Sequence, residues 1–121
     1  MALIFDISKI QGITVIRCRG RIVFGVEDDE LRRVILEALN HTNRIVLNLS
    51  WVAHIDSSGL GALVSLFVSA RNRRAQIKLA ALSANARLVL SVTKVNQLFE
   101  IYDSTEAAIN SFACLPEAAA G

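Results

Sequence analysis

The stretch Arg44-Ile45-Val46-Leu47-Asn48-Leu49 leaves this chain few architectures. It is β-branched and mostly apolar on both faces, as a central strand between helices is. A short connector, Ser50 to Ile55, follows it. Then come Asp56-Ser57-Ser58-Gly59-Leu60-Gly61 and an apolar segment, Leu60 to about Arg74, of helical length. A buried strand that hands over to a helix is the opening of a right-handed crossover in a parallel sheet.

The flanking segments agree. Leu3 to Ser8 and Ile13 to Arg19 read as strands joined at Gln11-Gly12, an antiparallel hairpin, with Gly20 ending the second. In that second strand Ile13, Val15, Arg17 and Arg19 share one face, and Thr14, Ile16 and Cys18 the other. Glu27-Asp28-Asp29-Glu30 opens a helix with acids at its positive end. Leu31, Val34, Ile35, Ala38 and Leu39 form its apolar stripe. Asn40 to Asn43 is a polar stop. After the motif and its helix, Gln76 to Leu82 is a strand. Ser83 caps a helix running to Val95, with Leu88, Val92 and Val95 on one side. Phe99 to Tyr102 is a short edge strand, and Ser104 caps a last helix through Phe112. The expected fold is α/β, with a mixed, mostly parallel sheet of about five strands and about four helices. It is one domain over residues 1–112, with a flexible tail over 113–121.

Composition narrows the function. The chain has 121 residues, 53% of them hydrophobic and 20% charged, with a formal net charge of +2. That suits a packed domain and supplies no basic surface extensive enough to imply nucleic acid. Arg17, Arg19 and Arg21, and Arg71, Arg73, Arg74 and Lys78, read as solvated surface groups. Cys18 and Cys114 have no metal-ligand spacing; Cys18 reads as a core residue and Cys114 as an exposed thiol. No signal peptide is recognised at the N-terminus, and the greasiest stretch falls short of the ~20 residues that span a bilayer. A cytoplasmic protein without membrane insertion is expected.

The chemistry concentrates at Asp56–Gly61. A hydrolase would need a base beside a serine, and His54 is nearby, but the stretch is not a G-x-S-x-G elbow. The phosphate-loop and dinucleotide fingerprints are both missing. Asp56, Ser57 and Ser58 are all helix-capping types, more than a single cap needs, and Gly59 and Gly61 permit close backbone approach. Leu60, Leu63, Phe67 and Ala70 form a core stripe on the following helix. Val64, Leu66 and Val68 fall largely outside it, as packing under a neighbouring helix or as an exposed patch that marks a partner surface.

The run from Arg44 to Gly61, together with Gly20 and the segment Gln76–Phe112, resembles the STAS domain, and within it the bacterial anti-sigma-factor antagonists. The similarity extends from about Leu3 to Phe112. The resemblance implies a regulator with no catalysis and no cofactor of its own. Its partners would be an anti-sigma factor that is also a serine kinase, and a phosphatase that reverses the modification. The serine after the aspartate, here Ser57, would be the phosphorylated residue, with Asp56 orienting it and Ser58 capping the helix. ATP and Mg²⁺ would belong to the kinase. Gly59 and Gly61 would let the partner's backbone approach, with Leu60, Val64 and Val68 beside them. The segment Arg21–Val26 is basic then apolar, where family members often carry an acidic, Ala/Thr-rich stretch. That segment commonly touches the partner, which adds Phe24 to the docking face. Two other readings stand beside this one: a STAS scaffolding subunit of a sensory or lipid-transport assembly that is never phosphorylated, and a small-ligand or nucleotide-binding module.

Overall fold

The computed structural model describes residues 3–113. Its elements are β1 (Ile4–Ile10), β2 (Ile13–Ile22), α1 (Val26–Leu39), β3 (Arg44–Ile55), α2 (Ser57–Asn72), β4 (Gln76–Ala80), α3 (Ala84–Val92), a 3₁₀ turn (Val95–Gln97), β5 (Ile101–Tyr102) and α4 (Thr105–Ala113). The five strands form one sheet in the order β1-β2-β3-β4-β5. Only the β1–β2 hairpin is antiparallel; the other three pairings are parallel. The expected α/β architecture is the observed one. Of the expected tail, Ala113 extends α4 and the remainder lies outside the described residues, as does Cys114.

Strand alternation places a core on each face of the sheet. Ile16, Cys18, Ile45, Leu47, Leu49 and Leu79 pack beneath α1, α2 and α3. Ile13, Val15, Val46 and Ala80 pack beneath Ala108, Ile109 and Phe112 of α4. β3 serves both layers, which is why its sequence is apolar on both sides. Burial pushes the Cys18 thiol up to about 12, so it behaves as a small apolar side chain.

Several boundaries differ from the sequence reading. Gly20 does not end β2; at φ 126° it carries a register shift, and the strand runs two residues further. The connector Ser50–Ile55 is strand, because extended β2 continues to pair with it: Gly20 with Val52, Arg21 with His54, Ile22 with Ile55. The third helix stops at Val92 and turns through Lys94 at φ 64°. Its buried positions are Ala86 and Leu90, while Leu88 and Val92 face solvent. β5 is only two residues, since Phe99 turns inward to meet Phe67 edge-on at 5.1 Å. Lys78 is buried rather than solvated. Its ammonium contacts Ser111 Oγ at 2.7 Å and Glu100 Oε1 at 3.2 Å, and lies 4.1 Å from the Phe112 ring centroid, pinning α4 to β4.

Candidate functional site

The long β2 and β3 strands end side by side, and that sets up the site. Ile22 and Ile55 are register partners, and Asp56 N–H donates to the Ile22 carbonyl at 3.3 Å. The β2–α1 loop, carrying Phe24, therefore sits against the first turn of α2, carrying Ser57.

Two carboxylates tie these segments together. Asp56 is the N-cap of α2, with Oδ1 accepting the Gly59 N–H at 2.8 Å. Its Oδ2 accepts the Phe24 N–H at 3.0 Å, which fixes the neighbouring loop. The second carboxylate, Asp28, is 2% exposed. Its Oδ1 accepts the Gly25 N–H at 3.1 Å, and its Oδ2 accepts the Ser58 hydroxyl at 2.5 Å. Arg32 lies 3.6 Å from Asp28 Oδ2 and offsets part of the charge. Ser58 is thus a strut between α1 and α2 and not the cap; Asp56 takes that position because its two oxygens reach both segments. Asp28 was not singled out as a site residue from sequence, where four consecutive acids read alike as dipole partners. Its signal is its position three residues after Gly25, the spacing that lets a carboxylate reach back to a helix's first N–H.

Ser57 is the exception in this network. It is exposed, and its hydroxyl bonds to no described residue. The Gly59 N–H is already taken by Asp56, so the turn offers an added anion fewer free donors than a bare helix N-terminus would. Arg21 and His54, register partners where β2 and β3 end, are both exposed beside this turn.

The glycines have separate tasks. A Cβ on Gly59 would stand 1.9 Å from the Ile22 carbonyl oxygen, so its bareness serves the chain's own β2 end and not a partner's backbone. A Cβ on Gly61 would meet nothing within 4 Å. Down α2, Leu66 is buried with Ala62, Leu63 and Ala70, whereas Leu60 and Phe67 are half-buried at the margin. The core stripe is therefore rotated from the sequence reading. Val64 is half-buried and Val68 49% exposed, and Phe24 and Val26 stand out at 78% and 71%. Ser57, Gly61, Val64 and Val68 share one side of α2, at helical spacing.

Hydrogen bonds from Gly59 and then Phe24 hold the Asp56 carboxyl below its ordinary range. A depressed carboxyl stabilises the fold above its unfolded value, about 3.9, and that contribution is lost as pH falls through the lower folded value. The Phe24 and Gly59 amide resonances are therefore expected to titrate together with a midpoint below about 3.9. The transition should vanish in Asp56→Asn. A midpoint at or above the unfolded value would contradict the latch.

Residues 5–108 match the family model of the STAS domain. A STAS-domain containing protein of Pseudomonas aeruginosa is 35% identical over 86 residues, which is 71% of this chain and 84% of that one. The chain belongs to the STAS domain family. Among solved structures, a candidate anti-sigma factor antagonist of Thermotoga maritima superposes with TM-score 0.81 at 23% identity, covering 88% of this chain and 92% of that one. The unphosphorylated anti-sigma factor antagonist SpoIIAA gives 0.76 at 19%, covering 93% and 98%. A sulfate transporter family protein of Wolinella succinogenes gives 0.76 at 22%, covering 90% and 91%. At these identities the structural likeness is one of fold. No helix among the described residues is long and apolar enough to cross a membrane.

Proposed function

We propose that this chain is a cytoplasmic anti-sigma-factor antagonist, switched by phosphorylation of Ser57. Unmodified, it binds an anti-sigma factor that is also a serine kinase and so frees a sigma factor; a phosphatase restores it after modification. The observation that carries this reading is the contrast at the turn: the Asp56 and Ser58 side chains are tied into the fold, while the Ser57 hydroxyl is exposed and unengaged. Exposed Phe24, Val26 and Val68 supply apolar contact area for a partner, with Leu60, Gly61 and Val64 alongside. The structural likeness to SpoIIAA, which is known in both unphosphorylated and phosphorylated forms, supports the same reading.

Incubation with the cognate kinase and ATP, followed by intact-mass measurement, tests it. One phosphate should be gained by the wild type and by Ser58→Ala, and none by Ser57→Ala. No gain at all, or a gain that persists without Ser57 and disappears without Ser58, would overturn the assignment. The likeness to the Wolinella protein favours a second reading, an unphosphorylated subunit of a larger assembly. Under that reading the wild type gains nothing.

A further inference from the structure

We infer that the chain carries a second ligand site, for a small amphipathic anion, between the C-terminal end of α2 and the outer edge of β4. This site is independent of the proposed switch. It opens toward the other end of a 16-residue helix from Ser57, and Phe67, the first residue of that helix to line it, lies about 15 Å away along the helix axis.

A cavity of about 520 Å³ lies there, within the range of small-molecule sites. Phe67, Ala70, Ala75 and Leu98 give it apolar lining. The outer edge of β4 forms another side. β5 pairs only with Leu79 and Ala80, so the preceding stretch, Gln76 to Lys78, has no strand beyond it and lines the cavity instead. The shortness of β5 is thus what opens the space.

The charge in this cavity is unbalanced. Arg71 and Arg74 line it, are exposed, and form no ion pair among the described residues. Arg71 lies over the Phe67 ring at 5.8 Å, which orients its guanidinium along the apolar lining. Glu100 is the one acid in the lining, and it is already committed: Lys78 Nζ lies 3.2 Å from Oε1, and the Tyr102 hydroxyl donates to the same oxygen at 2.7 Å. Cations at a helix C-terminus complement the dipole without any ligand. That accounts for their sign, but not for a cavity with Phe67, Ala70, Ala75 and Leu98 in its lining beneath them. Two forked donors over an aromatic and aliphatic floor fit a carboxylate or phosphate head on a compact apolar body. A polyanion would need a broader cationic surface.

Titration of the ¹⁵N-labelled chain with naphthyl phosphate, naphthoate, naphthalenemethanol and inorganic phosphate tests this. At least one naphthyl anion should bind saturably, with a Kd below about 1 mM. The Ile77 and Leu98 amides should move, and the stronger of the two anions identifies the preferred head group. The neutral alcohol and inorganic phosphate should each bind at least about tenfold more weakly, since each offers half of the recognition. Arg71→Ala/Arg74→Ala, two exposed changes that leave the core intact, should weaken the anion by about tenfold or more. Three results would overturn the site: no saturable binding by either anion, binding unchanged in the double variant, or inorganic phosphate binding as tightly as the naphthyl anions.

Discussion

Gly59→Ala is expected to cost about 3 kcal/mol of stability and lower Tm by about 10 °C. The added methyl would fall 1.9 Å from the carbonyl oxygen of Ile22, 2.7 Å from its carbon and 2.8 Å from its Cγ2. None of these atoms can swing aside. Ile22 is fully buried, it is the last residue of β2, and its carbonyl accepts the Asp56 N–H. Relief requires the start of α2 to lift from the sheet, which breaks the Asp56 bonds to Gly59 and Phe24 and the Ser58 bond to Asp28 together. Gly61→Ala provides the contrast, because nothing lies within 4 Å and the position is inside a helix. It should stabilise the free chain by about 0.5–1 kcal/mol. Urea and thermal unfolding of the two variants check both signs. A Gly59→Ala loss under about 1 kcal/mol would show that the helix start shifts freely and that close approach is not required there.

The same contrast shows what the sequence made legible. The two-sided strand at Ile45–Leu49 pointed to a layered, mostly parallel sheet, because a strand apolar on both faces needs an element packed on each side and crossover helices supply one. The concentration of Asp, Ser and Gly at 56–61 marked the turn at which β3 hands over to α2. What it could not convey was which of three capping residues caps. That choice depends on Phe24 lying beside Asp56, thirty-two residues away, and on Asp28 reaching Ser58 across thirty. Both pairings follow from β2 and β3 running on past Gly20 and Ser50, where the sequence reading ends one strand and starts a connector. The bulge at Gly20 lets a strand survive a residue that normally weakens one. Leu66, which the sequence leaves open between packing and an exposed patch, is buried in the core. Helical spacing predicts a stripe but not its rotation, and the buried side of α2 runs through Gly59, Ala62, Leu63, Leu66 and Ala70. Lys78 was read as solvated because its type favours water; the hydroxyl, carboxylate and ring that hold it come from α4 and the approach to β5.

Ser57→Glu is expected to weaken binding to the proposed anti-sigma partner by at least about a hundredfold while leaving stability within about 0.5 kcal/mol. The small stability effect follows from exposure: the Ser57 side chain bonds to no described residue, so nothing in the fold depends on it. The large binding effect follows from what already surrounds it. Asp56 and Asp28 have taken the Gly59, Phe24 and Gly25 N–H groups, so a new carboxylate joins two others where the donors are occupied. Against a docked partner it meets like charge and loses water, and about 2.7 kcal/mol from those terms is a hundredfold. Glutamate carries one charge where a phosphate carries nearly two, so the variant gives a lower bound. Phe24→Ala separates charge from contact. It should cost about 2 kcal/mol, or thirtyfold, through loss of an exposed aromatic anchor, with no change in salt dependence. The Ser57→Glu loss should shrink as salt screens the repulsion. A Ser57→Glu variant that binds like the wild type, alongside a Phe24→Ala variant that does not, would keep the docking face and remove Ser57 as its switch.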